Sequence, residues 1–197
     1  MNVYSFIMRH RDDNKVEAIF QATVQLVNEI GFADTTISKI AKRAKVSVAT
    51  IYIYYENKED MLLKTYLKVK EAMSHIMFEG FDPAASIKER LDTVIRNYTR
   101  FIQSNKDYFL FLEQIMNSPL PHLWCLDETE AMFKPIYNLF EEGQKQQLLK
   151  PVDVSILIAY AIYPVARLIK QFLESSGSIT EKEMETLLQM SWDAVKA

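Results

Sequence analysis

A chain of 197 residues, 49% hydrophobic, has material for one or two compact domains, and a net charge of −3 argues on average against a nucleic-acid partner, although that average conceals a local asymmetry. Four glycines and six prolines are too few for a turn-rich β fold, so long helices with short connections are expected, an all-α class. The single cysteine, Cys125, excludes an internal disulfide and points to a reducing compartment, the cytoplasm.

The N-terminus, "MNVYSFIMRHRDD", places a short apolar run before the charge, the reverse of a secretory signal. From residue 14 to 30, Val16, Ile19, Phe20, Thr23, Leu26, Val27 and Ile30 fall at helical spacing, and Gly31 follows as a residue able to take positive φ. Thr36 is placed to cap a two-turn helix carrying Ile37, Ile40, Ala41 and Ala44. Lys45 and Val46 then make a turn, and Ser47 caps a second short helix in which Val48, Ile51, Tyr52 and Tyr55 repeat the spacing.

Longer helices are expected at residues 58–79, 83–104, 106–116, 123–147, 152–174 and 180–195, separated by Gly, Pro, Asn or Ser, for about nine helices in all. Within the third of these, "YFLFL" (108–112) is apolar all round, which suits a central helix without a solvent face better than a buried strand. The stretch "VSILIAYAIYPVARLIK" (154–170) is interrupted by Pro164 and Arg167 and is shorter than the roughly 20 residues of a membrane span, so it is expected to be a buried helix. The chain thus divides into a three-helix unit over residues 1–57 and a helical bundle over 58–197. The first is too small to bury much surface unaided and must lean on the helix starting near Lys58.

Helix, tight turn and helix form the layout in which the second helix enters the DNA major groove. Residues 36 to 58 hold Lys39, Lys42, Arg43, Lys45 and Lys58 against one acid, Glu56, a local charge of +4. With Val48, Ile51 and Tyr55 turned inward, the opposite face shows Ala49, Thr50, Ile53 and Tyr54, with Tyr52 at the boundary. Thr50 can hydrogen-bond to a base edge, and methyl groups of Val48, Ala49 and Ile53 can meet thymine methyls. Thr36, Ser38, Ser47, Tyr54 and Lys58 stand near helix ends, where hydroxyls, an ammonium and helix N-termini suit phosphate oxygens.

The run "TTISKIAKRAKVSVATIYIYYENKEDML", preceded by a helix ending in "EIGF", resembles the DNA-binding signature of the TetR family of transcriptional regulators. The resemblance implies a cytoplasmic, all-α homodimer that binds a two-fold double-stranded DNA operator, commonly as a repressor, and releases it when a small-molecule inducer enters the C-terminal bundle. It matches Thr36, Tyr54 and Lys58 to phosphate contacts, and Ser38, Val48, Ala49, Thr50, Tyr52 and Ile53 to positions facing bases or backbone. Three positions depart from the pattern. Gly usually stands where this chain has Lys45, so a left-handed turn there costs roughly 1 to 2 kcal/mol. Ser38 and Ile53 replace the frequent Arg and His, which shifts base preference toward apolar contacts and DNA shape.

The bundle is rich in aromatic residues and methionine, and Tyr98, Phe101, Phe109, Leu112, Met116, Trp124, Phe133, Tyr137, Phe140 and Tyr160 are candidates to line an apolar cavity for an apolar or aromatic inducer, with plain core packing the competing role. The resemblance puts the pocket between the middle helices and favours Phe109, Met116 and Phe133. Glu113, if inward, would meet a cationic ligand, a solvated or paired carboxylate being the more common role. The last two helices carry more apolar surface than one bundle needs; the resemblance makes them a four-helix dimer interface, with Ile156, Tyr163, Leu187, Leu188 and Trp192 as its contacts. His10, His75 and His122 are scattered, His122 and Cys125 make at most half a metal site, and there is no Gly-rich phosphate loop, so neither catalysis nor a cofactor is expected. A helical carrier of lipids or drugs without a DNA role is the alternative that the bundle alone would allow.

Overall fold

The computed structural model describes residues 3–124, 127–175 and 177–197, with side chains from Asp13 onward except those of His122 and Leu123. Among them are α1 (Val3–Asp34), α2 (Ile37–Ala44), α3 (Val48–Tyr54), α4 (Lys58–Met77), α5 (Ile87–Ser104), α6 (Lys106–Met116), a 3₁₀ turn (Leu120–Leu123), α7 (Asp127–Lys145), α8 (Val154–Ala161), α9 (Tyr163–Glu174) and α10 (Glu181–Val195). Ile162 alone separates α8 from α9, and counting them as one interrupted helix gives nine. Pro164 explains the interruption, because it has no N–H to offer the Tyr160 carbonyl. The one extended pairing among the described residues is a bridge between Leu149 and Lys196. The fold is all-α, as expected.

Two compact units emerge: Met1–Val69 with Asp107–Leu126, and Lys70–Lys106 with Asp127–Ala197. They do not divide at residue 57. The boundary lies inside α4, and α6 joins the N-terminal unit rather than the bundle.

In the first unit, α1 breaks at Gly31, whose backbone (φ 78, ψ 164) is open to glycine. Ile19, Ala22 and Leu26 of α1 pack with Ile40 and Ala41 of α2, Ile51 and Tyr55 from the α3 segment, and Met61 of α4. The three short elements do draw on α4 for their core. α6 lies against α1: the Phe20 and Tyr108 rings meet edge to face at 5.6 Å, and Gln21 donates to the Tyr108 hydroxyl at 3.0 Å. In "YFLFL" every residue is buried or half-buried, and the segment is helical.

In the second unit, α5, α7, α8, α9 and α10 share an apolar core that includes Leu91, Ile95, Phe101, Phe140, Leu157 and Ile169. Capping boxes start α5 (Ser86 with Glu89) and α10 (Thr180 with Glu183), each satisfying two otherwise orphaned N–H groups. The buried Arg90 guanidinium donates to Glu142 at 2.8 Å. Arg96 bridges α5 to Glu181 and Glu185 of α10. The apolar run over α8 and α9 is not the buried helix expected. Val154–Glu174 is long and apolar enough to cross a membrane by composition, and its window is 28% buried. Leu157, Ile158, Ala161, Ile162, Val165 and Ile169 face the core, whereas Ile156, Tyr160, Tyr163 and Leu168 are exposed on the other side.

Candidate DNA-binding interface and ligand cavity

Local chemistry fixes the pair α2–α3. The Thr36 side chain accepts from the Lys39 N–H at 3.3 Å, and the Ser47 Oγ accepts from the Thr50 N–H at 3.0 Å, so both N-termini are capped as expected. α2 ends in a left-handed residue, Lys45 (φ 56, ψ 39). The Val46 N–H reaches the Ala41 carbonyl at 3.0 Å and the Lys45 N–H the Lys42 carbonyl at 3.3 Å, a Schellman motif built on lysine in place of glycine. Val46 then packs on the Ile40 and Ile51 core, which locks the turn.

This arrangement leaves Ser47, Val48, Ala49, Tyr52 and Ile53 on the outer side of α3, with Ile53 74% exposed. Val48 is 39% exposed and does not face inward as the spacing suggested, because the first residue of a short helix lies before the stripe that Ile51 and Tyr55 bury. Thr50 is half-buried and its hydroxyl lies 2.8 Å from that of Ser47. Tyr54 is half-buried against the core. Thr36 and Ser38 are exposed at the start of α2. Seven residues of α3 make a helix about 10 Å long, a length that fits a major groove about 12 Å wide.

Charge is less free than the sequence count implies. Arg43 holds Glu29 in a two-pronged bridge at 2.8 and 2.7 Å, and this hydrogen bonding keeps the Glu29 carboxyl below its ordinary value. The Lys58 ammonium donates to the Phe32 and Ala33 carbonyls at 2.6 and 3.2 Å, just past the break in α1, and Lys39 donates to the Asp34 carbonyl at 2.9 Å. Lys42 and Lys45 remain exposed beside the turn. At the head of α4, burial pushes the Asp60 carboxyl up, but hydrogen bonds from Lys64 and the Glu56 N–H bring it below the ordinary range.

Residues 19–65 match the family described as "Bacterial regulatory proteins, tetR family", and residues 86–196 match "Tetracyclin repressor-like, C-terminal domain". The chain belongs to the TetR family. A crystal structure of a TetR family transcription regulator from Marinobacter aquaeolei VT8 is 31% identical, with a TM-score of 0.87 over 95% of this chain and 98% of that one. An uncharacterized HTH-type transcriptional regulator of Haemophilus influenzae is 24% identical over 190 residues, 96% of this chain and all of the relative. FadR from Bacillus subtilis, solved in complex with stearoyl-CoA, shares the fold at 21% identity, with a TM-score of 0.73 over 90% of this chain and 98% of that one. The TetR family is a family of DNA-binding transcriptional regulators. A carrier without a DNA role is set aside by that membership. Among the described residues no cluster of three metal-ligating side chains exists; Cys125 and the side chains of His10 and His122 lie outside them.

The TetR-like C-terminal region contributes to a cavity of about 210 Å³ within the second unit. α4 supplies Lys70, Met73 and Met77 at i, i+3 and i+7, and α5 supplies Tyr98. From α7 come Thr129, Glu130, Phe133, Ile136 and Tyr137, and the wall is completed by Ile158, Ile162 and Tyr163. Of the residues expected to line a cavity, Tyr98, Phe133 and Tyr137 line this one. Phe109, Leu112, Glu113, Met116 and Trp124 are not: they belong to the first unit, where Phe109 and Leu112 are core, Trp124 packs on Tyr66 at 5.4 Å, and Met116 is 55% exposed. Phe101 and Phe140 are fully buried core residues of the second unit, and Tyr160 is 65% exposed on α8. Lys70, Met73 and Met77 are cavity residues that aromatic content does not single out; their shared register on one helix face is the sequence signal for them.

The expected dimer contacts also divide. Ile156 and Tyr163 are exposed, Leu187 and Trp192 half-buried, but Leu188 is 2% exposed and belongs to the core of its own unit. Tyr160, Leu168 and Met190 are exposed apolar residues on the same three helices that the spacing did not single out.

Proposed function

We propose that this regulator is a cytoplasmic repressor that binds a two-fold operator as a homodimer and releases it when a small molecule fills the cavity of the second unit. Residues 1–57 would carry DNA contact, and 58–197 ligand binding and dimerisation. The outward face of α3 carries the proposal. A 74% exposed Ile53 beside Tyr52, Ala49 and Val48 is costly in water and useful against base edges and thymine methyls. Thr36, Ser38, Ser47, Thr50, Tyr54 and Lys58 would surround it with contacts to phosphate and base, the Lys58 ammonium keeping one donor beyond the two carbonyls it serves.

Dimerisation is supported by the exposed series Ile156, Tyr160, Tyr163 and Leu168, joined by Met190. Two copies would hold their α3 helices about 34 Å apart, one turn of duplex. A ligand releases DNA only so far as it binds the released state more tightly; moving the population from 1:99 to 99:1 takes about 10⁴-fold preference.

Fluorescence anisotropy on duplexes from the DNA flanking the gene, at two salt concentrations, tests this. One duplex should bind with nanomolar affinity as a dimer, weakening steeply with salt. A protein that stays monomeric, or that binds all duplexes alike, rules the proposal out.

A further inference from the structure

The cavity of the second unit has one feature that apolar packing does not require. Lys70 lines the cavity beside Met73, Met77, Phe133, Ile136 and Ile158, on a wall that also carries Thr129, Glu130 and tyrosine side chains, and its ammonium nitrogen stands 4.1 Å from the centre of the Phe133 ring. Among the described residues no carboxylate pairs with it. Glu130, the acid on the same wall, is solvent-exposed and makes no ion pair with it. An aromatic face offsets only part of the lost hydration of an ammonium, about 0.5 to 2 kcal/mol against several. Without a carboxylate partner, the ammonium keeps hydrogen-bond donors that an anion in the cavity could take up.

Resting on the proposal that the cavity holds the inducer, we infer that the inducer is an amphiphilic monoanion, an aliphatic or aromatic carboxylate of modest size, whose carboxylate meets Lys70 and whose apolar body lies among Met73, Met77 and Ile158. A cationic ligand is tied to Glu113 only if that carboxylate faces the cavity; Glu113 belongs to the first unit, and the half-buried Lys70 is the cation on the cavity wall. Size argues in the same direction: about 210 Å³ is below the ~300–1,000 Å³ of drug-sized sites, so the occupant is a short or medium chain or a single ring. Met73 and Met77 adapt to either. Burial supports the assignment, pushing the Lys70 ammonium down to about 8, a cost that an incoming carboxylate would remove.

Isothermal titration calorimetry of the full-length protein without DNA tests the inference, using the monocarboxylates from hexanoate to dodecanoate, benzoate and phenylacetate, with octanamide and octylammonium as matched controls. At least one carboxylate should bind, and octanoate at least tenfold more tightly than octanamide. Lys70→Met should abolish that preference and leave the amide affinity within about threefold, whereas Lys70→Arg should keep it. Wild-type protein that binds no carboxylate of the series, that binds amide and acid alike, or that keeps its preference in Lys70→Met overturns the inference. Because no DNA is present, failure here leaves operator binding untouched, and failure of operator binding leaves this result standing.

Discussion

Replacing Lys45 by glycine isolates the backbone cost of the turn between α2 and α3. Lys45 is held at φ 56 and ψ 39 by the hydrogen bonds of Val46 and Lys45 to the end of α2, and its side chain is exposed, so its removal sacrifices no packing. A Cβ in this left-handed conformation costs roughly 1–2 kcal/mol, which glycine does not incur. Glycine also loosens the unfolded chain, which takes back about 0.4–1 kcal/mol. The net gain is about 0.5–1 kcal/mol, and at about 2–4 °C per kcal/mol for a chain of this length the midpoint should rise by about 1–4 °C. Lys45→Ala, which keeps the Cβ but loses the charge and stem, is the control and should gain nothing. Urea denaturation followed by circular dichroism, together with thermal melts, measures all three. If Lys45→Gly is no more stable than Lys45→Ala, the turn is not strained and the energetic reasoning is wrong.

Four further outcomes are expected. Lys58→Ala should weaken binding on specific and non-specific duplexes by the same factor and reduce the salt slope by about one, while Thr50→Ala or Ile53→Ala should change base preference; equal, unselective losses in all three would contradict the roles assigned. Lys70→Met should stabilise the ligand-free protein at pH 7 by about 1–3 kcal/mol by removing a poorly hydrated charge. With the folded value at about 8 and the unfolded at 10.5, the unfolded chain keeps its proton longer, so wild-type stability rises across that window and the advantage of methionine fades; equal differences at pH 7 and pH 10 in urea would refute this. Gly143→Ala would set a Cβ 2.5 Å from Leu149 Cδ1 and 3.2 Å from Ile87 Cγ2, so overpacking of about 1–3 kcal/mol should outweigh the usual helical gain of about 1, and a rise in melting temperature would show the contact to be yielding. Tyr160→Asp combined with Leu168→Asp should leave the helical content intact and give a monomer by sedimentation; a double variant that still dimerises places the interface elsewhere.

Much of the local architecture is legible in one dimension, because caps, turns and helical stripes depend on residues a few positions apart. Thr36, Ser47 and Gly31 act where their spacing put them, and α6 has the bounds read from its composition. The TetR signature resides in such a contiguous stretch, so the family could be recognised before any coordinate was known. What tertiary structure alone decided was the partner of each apolar face. Leu188 and Tyr160 carry equally good helical spacing, yet one is core and the other surface, since burial depends on which helix lies opposite. For the same reason Phe109 and Met116 went with the first unit, and Lys70, one lysine among many in sequence, became the cation of an apolar cavity. Periodicity states that a face exists; only the packed fold states what meets it.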